Sequence, residues 1–281
     1  MLPKLGIIAG AGDLPVRLIE ACRASGRRFF VLALEGQTPE ETVIGSPHAW
    51  VRMGAAGHAL KLLRQAEVEE VVLAGRVRRP SLAELRPDLW ATRFIARVGP
   101  KAIGDDGILG VLLKELEEKE GFRVVGADSL LPDVLAAAGV LGRIKPDQQA
   151  MDDIRRGLEV ARALCRLDIG QAAVVQQGLV LAVEAIEGTD AMLERAAGLR
   201  RDGPGGVLVK VGSGKQEGRA DLPAIGEASV RRAAEAGLRG VAVEAGNAIV
   251  IDRERVVTTA DAEGLFVIGV SAEDRAEGPA S

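Results

Sequence analysis

A chain of 281 residues, 47% of them hydrophobic, is long enough for two domains that each bury a core. Its net charge of -4 and sequence pI of about 5.5 exclude a global positive field that would draw it onto nucleic acid or an anionic bilayer, so no nucleic-acid partner is expected. Any phosphate must be met locally.

The two cysteines, Cys22 and Cys165, belong to no CxxC pair, which argues against a structural zinc site or a disulfide framework and points to a reducing cytoplasm. No signal-like segment opens the chain, and no run of about 18 apolar residues interrupts its charges, so a soluble protein is expected. With only His48 and His58 and no tyrosine, acid, base and ligand chemistry falls mainly to carboxylates. A metal held by carboxylate and phosphate oxygens would be a hard ion, magnesium rather than zinc.

LGIIAG at 5 to 10, then AGD, then an amphipathic stretch from Leu14 to Ser25, predict strand, loop and helix. FFVLAL at 29 to 34 and HAWVRM at 48 to 53 read as strands, GHALKLLRQAE at 57 to 67 as a helix, and EEVVLAG at 69 to 75 as a fourth strand. Strands alternating with helices imply a parallel sheet. Helical periodicity runs from Leu82 to Val98 with a break at Arg86 and Pro87, and GDD at 104 to 106 offers a cap for ILGVLLKELEEKEG. FRVVGA at 122 to 127 supplies another strand.

Small residues and breakers from Leu131 to Pro146 mark an interdomain connection, and the boundary is placed near 142. Beyond it come the helix PDQQAMDDIRRGLEVARALCRLD and a hairpin, QAAVVQQGLVLAVEA, turning at Gln176, Gln177 and Gly178. A helix from about Asp190 to Arg200, the strand GVLVKV at 206 to 211, a glycine-rich loop, a helix from Glu227 to Ala236 and strands near 241, 248, 255 and 265 complete a domain spanning 143–271. Residues 272–281 are expected to be a frayed tail.

Five segments carry side chains suited to chemistry. GAGDLP at 10 to 15, with Gly10, Gly12 and Asp13, lets backbone N–H groups approach a phosphate at a helix start, although a tight turn alone would also need its glycines. Glu35, at the end of the second strand, stands where a ribose-binding acid would. GRVRRP at 75 to 80 puts Arg76, Arg78 and Arg79 at the carboxyl edge of the first sheet, as an anion clamp or as a solvated basic edge. Asp105 and Asp106 in GDDGIL suit magnesium, a ribose hydroxyl or plain capping.

In the second half, VEAIEGTD at 183 to 190 sets Glu184, Glu187, Thr189 and Asp190 around a glycine turn, with Thr189 also a candidate N-cap. KVGSGKQEGRADLPAIG at 210 to 226 interleaves Lys210, Lys215 and Arg219 with Glu217 and Asp221 among Gly212, Gly214 and Gly218. The cations can neutralise a diphosphate, Asp221 can hold a metal or orient water, and the glycines allow close backbone approach.

Taken together and in this order, GIIAGAGDLP, GRVRRP, GDDGIL, DIGQAAVVQQGLVLAVEAIEGTD, KQEGRADLPAIG and AVEAGNAIV resemble the LpxI family of UDP-2,3-diacylglucosamine pyrophosphatases across nearly the whole chain. The resemblance implies an α/β protein with a Rossmann-like N-terminal domain on a parallel sheet, a distinct mixed α/β C-terminal domain, and an active site between them. It also implies magnesium-dependent hydrolysis of UDP-2,3-diacylglucosamine to UMP and 2,3-diacylglucosamine 1-phosphate (lipid X) in lipid A biosynthesis. By the same carry-over Asp221 is the central acid and Gln216 and Arg219 its neighbours, while Glu217 stands where the family usually has aspartate.

The catalytic set is therefore Asp221, Lys215, Arg219 and Gln216, with Asp221 and Glu217 as metal ligands. The substrate-binding set is Gly10, Gly12, Asp13, Arg76, Asp105, Asp106, Glu187, Thr189, Asp190 and Lys210. The expected location is the cytoplasm; transient contact with the inner face of the inner membrane and homo-oligomerisation are left open. Two other readings compete. An NAD(P)-dependent oxidoreductase is suggested by Gly10, Gly12 and Glu35 but lacks a tyrosine, and a non-catalytic nucleotide or lipid carrier would bind the same substrate without cleaving it.

Overall fold

The computed structural model describes residues 2–78, 82–98, 105–212 and 222–271, the side chains at 82–83, 105–108 and 132 excepted. The chain divides into two compact units, Met1–Pro132 and Asp133–Ser281. The division precedes the boundary expected near 142 because β6 (Gly139–Val140) joins the second sheet, antiparallel to its last strand. The tail at 272–281 lies outside the described residues.

The first unit runs β1 (Leu5–Ala9), α1 (Asp13–Ser25), β2 (Phe29–Leu34), α2 (Glu40–Val43), β3 (His48–Val51), α3 (Ala56–Gln65), β4 (Glu70–Ala74), α4 (Leu82–Leu85), α5 (Leu89–Val98), α6 (Asp105–Glu118), β5 (Arg123–Val124) and α7 (Ala127–Leu130). Its strands form one parallel sheet in the order β3-β2-β1-β4-β5. The apolar run of β1 reads as a two-faced core strand, and Leu5, Ile7 and Ala9 are fully buried. Helix α1 buries Leu14, Pro15, Leu18, Ile19 and Cys22 along one stripe, tolerates Pro15 because that residue lies in the first turn, and stops at Gly26 in the left-handed region. Strand order reverses between β1 and β4, so the loops leaving these two strands meet at the switch point where open α/β sheets bind ligands.

After β6, the second unit runs α8 (Gln148–Arg166), β7 (Ala172–Gln176), β8 (Leu179–Val183), α9 (Gly188–Ala197), β9 (Val207–Lys210), β10 (Ala224–Ile225), α10 (Glu227–Glu235), β11 (Gly240–Glu244), β12 (Ile249–Val250), α11 (Arg253–Glu263) and β13 (Phe266–Val270). The main sheet has the order β6-β13-β11-β9-β7-β8; β9, β11 and β13 are parallel to one another, and β6 and β7 run antiparallel to their neighbours. Alternation along β9 decides the layers. Val207 and Val209 pack with Ile154, Leu158 and Ala161 of α8, whereas Leu208 packs on the other face with Met192, Val230 and Val256 of α9, α10 and α11. Gly157 admits the approach of α8 to the sheet, since a Cβ there would lie 2.3 Å from a methyl of Val209.

The expected hairpin is present as β7 and β8, and both turn residues, Gln177 (φ 54°) and Gly178 (φ 76°), are left-handed as a two-residue hairpin loop requires. The strand expected near 255 is instead helix α11. Its β-branched VVTT run reads as strand, but Asp252 caps the Arg255 N–H, Val256, Thr259 and Ala260 bury at helical spacing, and Gly264 ends it left-handed.

Candidate active site

The carboxyl ends of β8, β9 and β11 and the amino end of β7 share one edge of the second sheet, as the pairings Ala172↔Lys210, Ala173↔Val183 and Val243↔Lys210 show. Lys210 ends β9 on the face covered by α9, α10 and α11 and is 9% exposed. A buried ammonium needs oxygen partners, and its Nζ donates to Thr189 Oγ1 at 3.1 Å and to the Ala224 carbonyl at 3.3 Å. Thr189 in turn donates to Glu184 Oε1 at 2.6 Å, and Glu184 Oε2 accepts the Gln171 N–H at 3.1 Å. Two residues singled out in the sequence, Lys210 and Thr189, are thus brought into contact by the fold.

Thr189 does not cap α9. The N-cap position is Glu187, and the hydroxyl of Thr189 is committed to Glu184 from inside the first turn. Glu187 and Asp190 belong to the same helix start but turn to other cations, Glu187 to Arg195 at 2.7 Å and Asp190 to Arg232 at 3.4 Å. Its own backbone N–H first, and then the Arg195 guanidinium, hold the Glu187 carboxyl below the usual carboxylate range.

On the opposite face of the same edge stands a pair that motif reading passed over. Glu244 ends β11, is 4% exposed, and accepts from Arg162 of α8 at 3.0 and 2.6 Å and from Asn247 Nδ2 at 2.9 Å. Asn247 sits against Gly212, where a Cβ would lie 2.5 Å from Nδ2. An acid closing the apolar run GVAVE, followed by AGN, was the available signal. The residues expected to carry the chemistry, Lys215, Gln216, Glu217, Arg219 and Asp221, come three to nine positions after Gly212 and lie outside the described residues.

In the first unit Gly10, Gly12, Asp13 and Arg76 come together at the switch point. Backbone bonds tie Ala11 N–H to the Arg76 carbonyl at 2.8 Å and Arg76 N–H to the Ala11 carbonyl at 2.7 Å. Gly10 answers this close approach, because a Cβ would fall 2.4 Å from the Arg76 carbonyl oxygen. Gly12, at φ 98°, has open space beside it and, like Asp13 and Arg76, is exposed. Of the neighbouring cations, Arg78 pairs with Glu84 at 3.2 Å, and Arg79 lies outside the described residues. Asp105 and Asp106 open α6, with side chains outside the description.

Among the described residues no group of three or more His, Cys, Asp or Glu is arranged to hold a metal ion. The expected ligands Glu217 and Asp221 offer hard carboxylate oxygens, a donor set that suits magnesium when a diphosphate supplies further oxygens. Among the described residues no helix is long and apolar enough to cross a membrane, and the two cysteines are buried and unpaired with each other.

Comparison with known proteins follows the same division. The LpxI N-terminal domain model matches residues 4–134 and the LpxI C-terminal domain model matches 137–268. The UDP-2,3-diacylglucosamine pyrophosphatase LpxI of Caulobacter vibrioides is 45% identical over 279 residues, covering 97% of this chain and 99% of that protein. Among solved structures, the biotin carboxylase subunit of pyruvate carboxylase has a TM-score of 0.27 at 15% identity, over 66% of this chain and 39% of its own. The biotin carboxylase domain of Hydrogenobacter thermophilus 2-oxoglutarate carboxylase also has a TM-score of 0.27, at 13% identity, over 71% of this chain and 41% of its own. The chain thus spans about two fifths of each, and likeness at that level supports no argument. With both of its halves matched in order and nearly half its residues shared with a curated member, this chain belongs to the LpxI family.

Proposed function

We propose that this protein hydrolyses the pyrophosphate bond of UDP-2,3-diacylglucosamine, releasing UMP and 2,3-diacylglucosamine 1-phosphate, as a step of lipid A biosynthesis. One observation carries the reading: in a chain of this family, a buried ammonium stands at the carboxyl edge of the second sheet, five residues before Lys215 and the Gln216, Glu217, Arg219 and Asp221 that follow it. Cations placed where charge develops in an in-line displacement stabilise the transition state without reorganising. Lys210, Lys215 and Arg219 take that role, Gln216 hydrogen-bonds the diphosphate, and Asp221 orients the attacking water. Gly10, Gly12, Asp13 and Arg76 receive the nucleotide part at the first sheet's switch point.

Asp221 and Glu217 are the residues that would hold magnesium, which when bound neutralises diphosphate charge. Leu167, Ile169 and Ile186, exposed on the loops beside Glu184, offer apolar surface to the acyl chains. The reaction is assigned to the cytoplasm, with transient contact at the inner face of the inner membrane left open. The oxidoreductase reading has less to stand on, because the chain has no tyrosine and both of its histidines lie in the first unit, His48 with its Nδ1 2.8 Å from the Ser46 carbonyl.

Hydrolysis in oxygen-18 water tests the direction of attack. Label in the lipid phosphate supports attack at the phosphorus nearer the sugar, whereas label in UMP contradicts it.

A further inference from the structure

We infer that Glu184 and Thr189 are positioning residues that fix the Lys210 ammonium at the carboxyl edge of the second sheet, an assignment that rests on the diphosphate hydrolysis proposed above. Lysine is a point charge on a flexible stem, so an ammonium used for catalysis has to be held by something else. Here the holding groups form a directed chain. A hydroxyl has a single proton, and that of Thr189 is given to Glu184 Oε1 at 2.6 Å, a length typical of O–H donation to a carboxylate. Its oxygen is therefore left to accept from Lys210 Nζ, which it does at 3.1 Å.

The far end of the chain is anchored independently of α9. Glu184 Oε2 takes the Gln171 N–H at 3.1 Å, and the Glu184 N–H donates to the Ala172 carbonyl at 2.9 Å. Gly170 packs so closely that a Cβ would lie 2.3 Å from the Glu184 carbonyl oxygen. Glu184, 5% exposed, is thus fastened to the amino end of β7, and through Thr189 it also sets the start of α9. The ammonium inherits that rigidity and needs no rearrangement when diphosphate charge develops beside it.

The test uses the full chain with UDP-2,3-diacylglucosamine and magnesium, following UMP release. Thr189→Val keeps the shape and removes the hydroxyl; Glu184→Gln keeps the shape and removes the charge. Each is expected to lower kcat about 10–100-fold, the range for losing a partner that orients an active group, with KM changed by less than about threefold. Thr189→Ser should restore most of the lost rate. On a Lys210→Met background, Thr189→Val should lower kcat no further, because it acts through the missing ammonium. A merely structural tie between α9 and the sheet would shift Tm and leave the kcat of folded protein unchanged. Wild-type kcat in both single variants, or losses that multiply on the Lys210→Met background, overturns the inference while the activity stands. A wild-type chain that releases no UMP overturns the activity and the inference with it. Should Glu184→Gln fail to fold, Thr189→Val with its serine rescue decides alone.

Discussion

Lys210 is tolerated at the end of a buried strand because oxygens from α9 and β10 meet its ammonium, and that is the feature of the site most plainly written in the residues. A lysine closing the apolar run VLVK stands out in sequence, as do the acids of VEAIEGTD. Their division of labour does not. Glu184 and Thr189 turn inward while Glu187 and Asp190 turn to arginines, and only the pairing of β7 with β8 and β9 decides which. The pairing of Glu244 was illegible for a related reason: an acid closing GVAVE could be seen, but its partner Arg162 lies on α8, far away in sequence. For the acid expected to be central, Asp221→Ala should cut turnover by about 10²-fold or more while substrate still binds. Near-normal kcat in that variant rejects its role. For the first unit, Gly10→Ala should destabilise by about 1–3 kcal/mol in urea denaturation, since the methyl meets the Arg76 carbonyl. An unchanged midpoint would show that the close approach of the two loops is dispensable.

At the scale of elements, period-based reading located most strands and helices and failed where a β-branched run was helical. In α11 the deciding information was the pair of ends, Asp252 and Gly264, together with burial at helical spacing, rather than the composition of the run. Helix α8 shows how an end also sets pH dependence. Asp147 caps it by accepting the Ala150 N–H at 2.8 Å, and that bond first, with help from Arg239, holds its carboxyl below the usual carboxylate range. A depressed carboxylate contributes stability above its unfolded pKa and loses it as pH falls through the folded value. Asp147→Ala should therefore lower stability by about 1 kcal/mol at pH 7, with the Tm gap to wild type closing toward pH 3. A gap constant with pH would contradict this. The hairpin has its own anchor: Asp153 accepts the Gly178 N–H at 2.6 Å and the Gln177 N–H at 3.1 Å. Asp153→Ala should cost about 2–3 kcal/mol in chemical denaturation, and a loss under half that would assign the turn to Gly178 alone.

For the molecule as a whole, alternation of strands and helices was enough to predict a parallel sheet in the first half, while the distinct mixed α/β unit in the second was implied by the family resemblance and matches the sheet observed. The boundary was less legible, because Gly139 and Val140 look like linker and act as an edge strand. Both family domains are matched in order along the chain; under the proposed function, the glycine turns at the switch point of one unit receive the nucleotide and Lys210 at the sheet edge of the other meets the diphosphate. The direct test of that account is to incubate the full-length protein with UDP-2,3-diacylglucosamine and magnesium, with and without excess EDTA, and to quantify both products. UMP and the lipid phosphate appearing in equal amounts with magnesium and ceasing with EDTA is the result expected. Substrate that binds yet yields no UMP over hours in magnesium would contradict it.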